Sequence, residues 1–178
     1  FFGKDASAEY VIGTRKGISN TKPIIGPYDV NREGSSDMYS KGANLLHTIR
    51  QIANDDEKWR KTLRGLNKTF YHKTVTTEEI ENFISESLNI DLSSVFDQYL
   101  RDIRIPVLEY EIKNGFLKYR WNNTIENFKM PVKIIINENL VEINPTKKFE
   151  KIAFTSNELI IDKNYYVFSR NLSLKDWI

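Results

Sequence analysis

The amino-acid sequence predicts an α+β fold in which a helical part is followed by a small antiparallel β-sandwich. Apolar residues recur at spacings of three and four in the first half of the chain, which is typical of amphipathic helices. After Pro106 they alternate with polar residues, and several short runs of this kind follow one another between turn residues, as in a small sandwich. We therefore expect two units, residues 1–105 and residues 106–178.

The first predicted helix covers Asp5–Lys16 and stops at Gly17. It precedes a long loop rich in proline and glycine, and loops of this length often contribute to function. Any of the residues Ser35–Asp37 can cap the next helix, whose apolar stripe consists of Leu45, Leu46, Ile49, Ile52 and Ala53. Tyr39 would then lie in the first turn of that helix.

Three more helices are predicted in the first half of the chain. Asp55 begins one that ends close to His72. Thr76 and Glu79 have the spacing of a capping box, which predicts a sharp start for the next. Asp91 caps the last helix before the change of period.

The clearest local signal in the second half is a β-hairpin with its turn at Asn114-Gly115. Apolar residues alternate with polar ones on both sides of this turn: Leu108, Tyr110 and Ile112 before it, and Leu117, Tyr119 and Trp121 after it. Further strands are predicted at residues 132–136, 140–143, 148–154, 159–161 and 165–169.

The composition excludes several classes of function. The 26 basic and 24 acidic residues leave a formal net charge of +2, and neither half has the excess of positive charge that attracts nucleic acid or anionic lipid. We therefore expect no nucleic-acid partner. The absence of cysteine excludes disulfides, thiolate nucleophiles and cysteine-ligated metals. No apolar run approaches the about 18 residues of a membrane span, so we expect no membrane span.

The residues alone indicate no self-contained active site. His47 and His72 are the two histidines, 25 positions apart on different predicted helices, and neither belongs to an H-E-x-x-H array. The chain also lacks a G-x-S-x-G elbow and a phosphate-binding glycine loop. We therefore expect this chain by itself to bind no zinc or other cofactor.

One helical segment resembles a known family. Residues Asp37–Arg50, which contain Tyr-Ser-Lys-Gly-Ala, are similar to the Tyr-x-Lys-Gly-Ala helix of zinc aminopeptidases of the aminopeptidase N type, the family that also holds leukotriene hydrolase. Tyr99 stands where that family usually has tryptophan, and this exchange between aromatic residues should be tolerated. Four other segments resemble family signatures in the same order: Asp56–Leu66, Val75–Glu78, Asp91–Leu100 and Ile105–Leu108.

The resemblance implies the helical C-terminal part of a thermolysin-like catalytic domain of a gluzincin metallopeptidase, followed by the β-sandwich. In that family the zinc ligands, an H-E-x-x-H pair and a glutamate on the next helix, precede the tyrosine motif. The resemblance therefore assigns zinc to the parent enzyme and the rest of the catalytic domain to residues upstream of Phe1. It also implies a peptide substrate that loses its N-terminal residue, and no activity for this fragment alone.

Tyr39 is the one residue whose family role can be transferred. In the resembling enzymes this tyrosine donates its hydroxyl to the oxyanion formed when zinc-bound water attacks the scissile carbonyl. We therefore expect Tyr39 to be catalytic, whereas without the motif it would be expected to pack in the first turn of its helix. Lys41, Gly42 and Ala43 are expected to be structural, with Gly42 allowing close approach of a neighbouring helix.

Two other functions stay open. The first is a family member that has lost catalysis and acts as an interaction scaffold. The residues upstream of Phe1 would distinguish it from an active enzyme by the presence or absence of the zinc ligands. The second is an unrelated binding module whose β-sandwich recognises a partner. An exposed apolar or aromatic patch on the β half, without a cleft beside Tyr39, would favour the second.

Overall fold

The computed structural model describes residues 3–30 and 34–173, and in them a helical part precedes a small β part. This arrangement confirms the predicted α+β class. The helices are α1 (Gly3–Gly13), α2 (Ser40–Ala53), α3 (Asp56–Thr69), α4 (Thr77–Leu88) and α5 (Ser93–Phe96), with 3₁₀ turns at Thr14–Gly17 and Ser36–Met38 and a π-helical turn at Asp97–Arg101.

Side-chain caps define the starts of α3 and α4 as predicted. The Asp55 carboxylate accepts hydrogen bonds from the amides of Glu57 and Lys58, at 3.0 and 2.9 Å. Thr76 Oγ1 accepts from the Glu79 amide at 3.2 Å, while Glu79 Oε2 accepts from the Thr76 amide at 2.7 Å. These bonds satisfy amide groups that have no partner inside the helix.

The start of α2 differs from the prediction. Ser35 caps the separate 3₁₀ turn, because its hydroxyl accepts from the Asp37 amide at 3.1 Å. Tyr39 is the residue directly before α2, and no side chain among the described residues caps the helix. Tyr39 has helical dihedral angles and accepts the first hydrogen bond of α2, so it lies one residue outside the predicted first turn. The physical reason is that the Asp37 carboxylate bonds to residues after α1 instead of to the amides of α2.

The described residues of the β part form two sheets. The strands are β1 (Val107–Lys113), β2 (Phe116–Asn122), β3 (Val132–Ile136), β4 (Asn139–Ile143), β5 (Glu150–Ala153), β6 (Ile160–Ile161) and β7 (Phe168–Asn171). One sheet has the order β5-β2-β1-β7 and the other the order β4-β3-β6. The β1–β2 hairpin turns at Asn114-Gly115, both with positive φ, which confirms the predicted turn.

One strand pair departs from the predicted antiparallel arrangement. Strand β7 runs parallel to β1, with Val107 opposite Phe168. The chain reaches β7 from β6, which belongs to the other sheet, so β7 is not joined to its neighbour by a hairpin. A strand that crosses between sheets is free to enter at the same end as β1.

A shared hydrophobic core joins the helical and the β part. Leu45 and Ile49 of α2 belong to the same buried cluster as Leu108 and Trp121 of the first sheet and Val132 of the second. The described residues of the two parts therefore contribute to one hydrophobic cluster, and the division at residues 105 and 106 stays a prediction.

None of the helices in the described ranges is long and apolar enough to cross a lipid bilayer.

Candidate functional site

Tyr39 lies on the surface at the N-terminal end of α2. Tyr39 is 77% exposed, and its backbone carbonyl accepts the first hydrogen bond of the helix, from the Ala43 amide at 2.9 Å. The described residues therefore do not bury the ring.

The Asp37 carboxylate, two residues before Tyr39, is buried and fully hydrogen-bonded. Its two oxygens accept from the amides of Ser19 and Asn20, at 3.0 and 2.7 Å, and the Ser19 hydroxyl donates to it at 3.2 Å. Burial by itself would raise the pKa of the Asp37 carboxyl, but the hydrogen bonds from Ser19 and Asn20 outweigh it and lower the pKa. Asp37 is therefore an anion that ties the entry of α2 to the segment after α1.

Lys41, two residues after Tyr39, is also buried. Its ammonium donates to the carbonyl oxygen of Asp102 at 2.8 Å, directly after the π-helical turn. Burial lowers the pKa of Lys41, and the negative charges of Asp37 and Asp102 oppose this effect. The expectation that Lys41 is structural agrees with this contact.

Gly42 does not have the predicted packing role in the described part of the chain. A Cβ atom built on Gly42 would meet no atom within 4 Å there, so no described helix approaches closely at this position. Gly34 in the preceding loop has the tight contact instead. A Cβ at that position would lie 1.9 Å from the carbonyl oxygen of Ile24, because the loop doubles back on itself.

A polar network connects α2 to the β part. The Asn44 side chain accepts from Arg15 Nε at 2.7 Å, and the Arg15 guanidinium lies over the ring of Tyr166, 5.2 Å from its centroid. The Tyr166 amide donates to Thr48 Oγ1 at 3.0 Å, and its carbonyl accepts from the buried Tyr99 hydroxyl at 2.5 Å. The tyrosine at position 99 thus satisfies its hydroxyl inside the core.

The two histidines are not brought together. His47 is buried, and its Nε2 lies 2.9 Å from Asn164 Oδ1. His72 is exposed in the turn after α3, with positive φ and its ring edge-on to Tyr71. Among residues 3–30 and 34–173, no three His, Asp or Glu side chains converge as metal ligands would. The described residues therefore do not fit a zinc ion.

A groove beside Tyr28 of the long loop is acidic. It has a volume of about 590 Å³ and lies between Tyr28 of the loop and the N-terminal parts of α4 and α5. Glu81 and Asp97 line it, and both pair with Arg101, at 2.9 and 3.3 Å. Arg101 thus neutralises part of the groove's negative charge.

The outer face of the four-stranded sheet combines cations with exposed aromatic rings. Lys118 Nζ and the Arg120 guanidinium lie 4.2 and 4.3 Å from the ring centroid of Phe149, and Lys151 Nζ lies 3.7 Å from that of Phe116. Both rings are partly exposed. This surface is an aromatic patch of the kind that a binding module would use.

The sequence predicted Tyr39 as a site residue but gave no indication that Asp37 beside it is buried. Asp37 was considered only as one of three possible caps for α2. The sequence offers no local signal for its contacts, because Ser19 and Asn20 lie 18 and 17 positions away.

Comparisons with known proteins give a likeness at the level of the fold. No family model matches the sequence, and no curated protein does. Among solved structures the chain is similar to Legionella pneumophila aminopeptidase A in complex with aspartic acid, with 17% identity and a TM-score of 0.62. The likeness covers 91% of this chain and 22% of that one, so this chain spans about a fifth of the length of the aminopeptidase. The helical and β parts described above therefore have an aminopeptidase-like fold.

Proposed function

We propose that this chain is part of a zinc-dependent aminopeptidase of the gluzincin type and that Tyr39 is its oxyanion donor. The observation that supports the proposal best is the exposure of the Tyr39 phenol beside two buried, fixed charges. The aminopeptidase-like fold and the Tyr-x-Lys-Gly-Ala resemblance point in the same direction.

The chemistry assigned to Tyr39 is hydrogen-bond donation. When water attacks a peptide carbonyl, the carbonyl oxygen becomes negatively charged, and a preorganised donor stabilises this charge more than the neutral ground state. A phenol is uncharged at neutral pH and donates one hydrogen bond. The α2 N-terminus beside Tyr39 contributes a partial positive charge in the same place.

Zinc enters the proposal only through the family resemblance. The zinc of such enzymes polarises the carbonyl and activates water. The described residues provide no ligand set for it, so the proposal assigns its ligands to residues upstream of Phe1 and gives this chain the donor role alone.

The test is Tyr39→Phe in the full-length protein that contains this chain. Loss of one oxyanion donor lowers kcat by about 10² to 10³, or about 3 to 4 kcal/mol, while KM changes far less. The melting temperature should stay close to that of the wild type, because the exposed ring is retained. Hydrolysis of an aminoacyl anilide gives kcat and KM.

A matched control is Tyr10→Phe, which removes the hydroxyl of an equally exposed tyrosine, 78% against 77%, on α1. It should leave kcat unchanged. A Tyr39→Phe enzyme with kcat within a few fold of wild type would remove Tyr39 from the mechanism.

A second candidate function is an interaction module, and the aromatic and cationic outer face of the sheet favours it. On the strands that the structure describes, five basic side chains share that face with two acidic ones, so an acidic protein segment is the matching partner. A full-length protein that hydrolyses no aminoacyl anilide would favour this candidate over the first.

A further inference from the structure

We propose that Asp37 and Lys41 are positioning residues that fix the backbone from which the Tyr39 phenol projects. The inference rests on the proposed function of Tyr39 and assigns a role to two side chains that no comparison identifies. Asp37 is 2% exposed and Lys41 is 0% exposed, whereas Tyr39 between them is 77% exposed.

Asp37 fixes the backbone on the N-terminal side of Tyr39. Each of its carboxylate oxygens accepts from a different backbone amide, of Ser19 and of Asn20. An asparagine of the same shape has one oxygen and one NH₂ group, so it would face one of these amides with a donor instead of an acceptor. Both charge-assisted bonds therefore require the carboxylate.

Lys41 fixes the backbone on the C-terminal side of Tyr39. Its ammonium reaches the Asp102 carbonyl, so it connects the first turn of α2 to the end of the helical part. Burying an ammonium costs more free energy than burying an apolar side chain of similar size. A methionine would fill the same buried space without this cost. The ammonium is explained by the direction that its hydrogen bond imposes.

The two contacts leave little freedom at Tyr39. Its carbonyl is held by the Ala43 amide, and the residues two positions before and after it are anchored in the interior. The remaining freedom is rotation of the side chain about χ1 and χ2. A displacement of about 1 Å in a reacting group costs up to roughly 10² in rate, so such anchoring affects catalysis.

The test is a double-mutant cycle in the full-length protein. Lys41→Met and Asp37→Asn should each lower kcat about 10- to 100-fold with little change in KM, because the donor moves but substrate binding does not depend on it. On the Tyr39→Phe background each should lower kcat by less than about 2-fold, since the displaced hydroxyl is already absent. Equal losses on both backgrounds would show a general structural role and overturn the proposal.

Lys16→Met is the matched control, because Lys16 is an exposed lysine in the 3₁₀ turn after α1. It should change kcat on neither background. Circular dichroism and melting temperature show whether Lys41→Met or Asp37→Asn fails to fold. If one of them does, the kcat of the other variant tests the positioning role.

A second measurement is independent of activity. With 3-fluorotyrosine at position 39, ¹⁹F NMR should show one resonance in the wild-type protein and a shifted or broadened one in Lys41→Met and Asp37→Asn. An unchanged resonance in both variants would overturn the positioning role. If Tyr39→Phe has wild-type kcat, the proposed function fails while the NMR result still decides the positioning role.

Discussion

Replacing Glu109 by glutamine should destabilise the β part strongly. Glu109 of β1 is 0% exposed on the outer face of the four-stranded sheet, where Arg120 of β2 and Arg170 of β7 cover it. Its carboxylate accepts from Arg120 Nε at 2.8 Å, from Asn122 Nδ2 at 2.8 Å and from Arg170. Three strands therefore meet at one buried charge.

The magnitude of this loss of stability follows from the contacts of Glu109. Removing one partner of a buried ion pair costs about 3–5 kcal/mol, mostly because the other charge stays buried. Here the side chains of Arg120 and Arg170 are 35% and 60% exposed, so both regain water and the cost falls. We expect Glu109→Gln to lower the free energy of unfolding by about 2–3 kcal/mol, or roughly 4–12 °C in Tm for a chain of this size.

The effect should depend on pH in a defined direction. Burial alone would raise the pKa of Glu109, but the hydrogen bonds from Asn122 and Arg120 and the charges of Arg120 and Arg170 outweigh it, so the pKa is lowered. A carboxyl with a lowered pKa stabilises the fold above its unfolded pKa of about 4.3 and loses this contribution as the pH falls through its folded pKa. The difference between wild type and Glu109→Gln should therefore be constant above about pH 5 and shrink in more acidic solution.

Urea unfolding from pH 7 down to about pH 3 measures both effects. Glu111→Gln is the control, because Glu111 lies on the same face two residues further along β1 and is only half-buried. It should change the free energy of unfolding by less than about 0.5 kcal/mol. A Glu109→Gln protein as stable as wild type at pH 7, or a difference that does not diminish in acid, would refute the reasoning.

Three further substitutions and one control test the helix start and the glycines of the helical part. Thr76→Ala removes the capping hydroxyl of α4 and should cost about 1 kcal/mol in urea unfolding, whereas Thr77→Ala inside the helix should cost less than about 0.5 kcal/mol; equal effects would contradict the capping box. Gly42→Ala should stabilise α2 by about 0.5–1 kcal/mol since nothing described lies near its Cβ, while Gly34→Ala should destabilise the loop by colliding with the Ile24 carbonyl. Opposite signs in Tm are expected, and a lower Tm for Gly42→Ala would contradict the first.

Local signals were sufficient for the hairpin and for two helix starts. The Asn114-Gly115 turn and the Thr76–Glu79 capping box each depend on residues no more than a few positions apart, and both occur as predicted. The start of α2 differs from the prediction because it depends on a contact between Asp37 and the segment after α1. By residue type alone, the residues that could cap α2 are equally suitable, and only the tertiary contact selects among them.

The alternation of apolar and charged residues in β1 does not determine the burial of one residue, Glu109. It correctly places Leu108 in the core and Glu109 on the opposite face. It cannot show that Glu109 is buried there, because the residues that cover it, Arg120 and Arg170, come from two other strands. For the same reason the candidate site was predicted only at Tyr39, where a local motif resembles a known family, and not at its buried neighbours.

The parallel pairing of β7 has a consequence for how the β part assembles. One edge of β1 is satisfied by β2 after a two-residue turn, a contact that forms on the microsecond scale. The other edge is satisfied only when Phe168 reaches Val107, 61 positions earlier, and closing so long a loop has a larger entropic cost. During synthesis, β1 therefore exposes a row of unpaired amide and carbonyl groups until the segment that contains β7 has left the ribosome, and in that interval its edge is open to pairing with another chain.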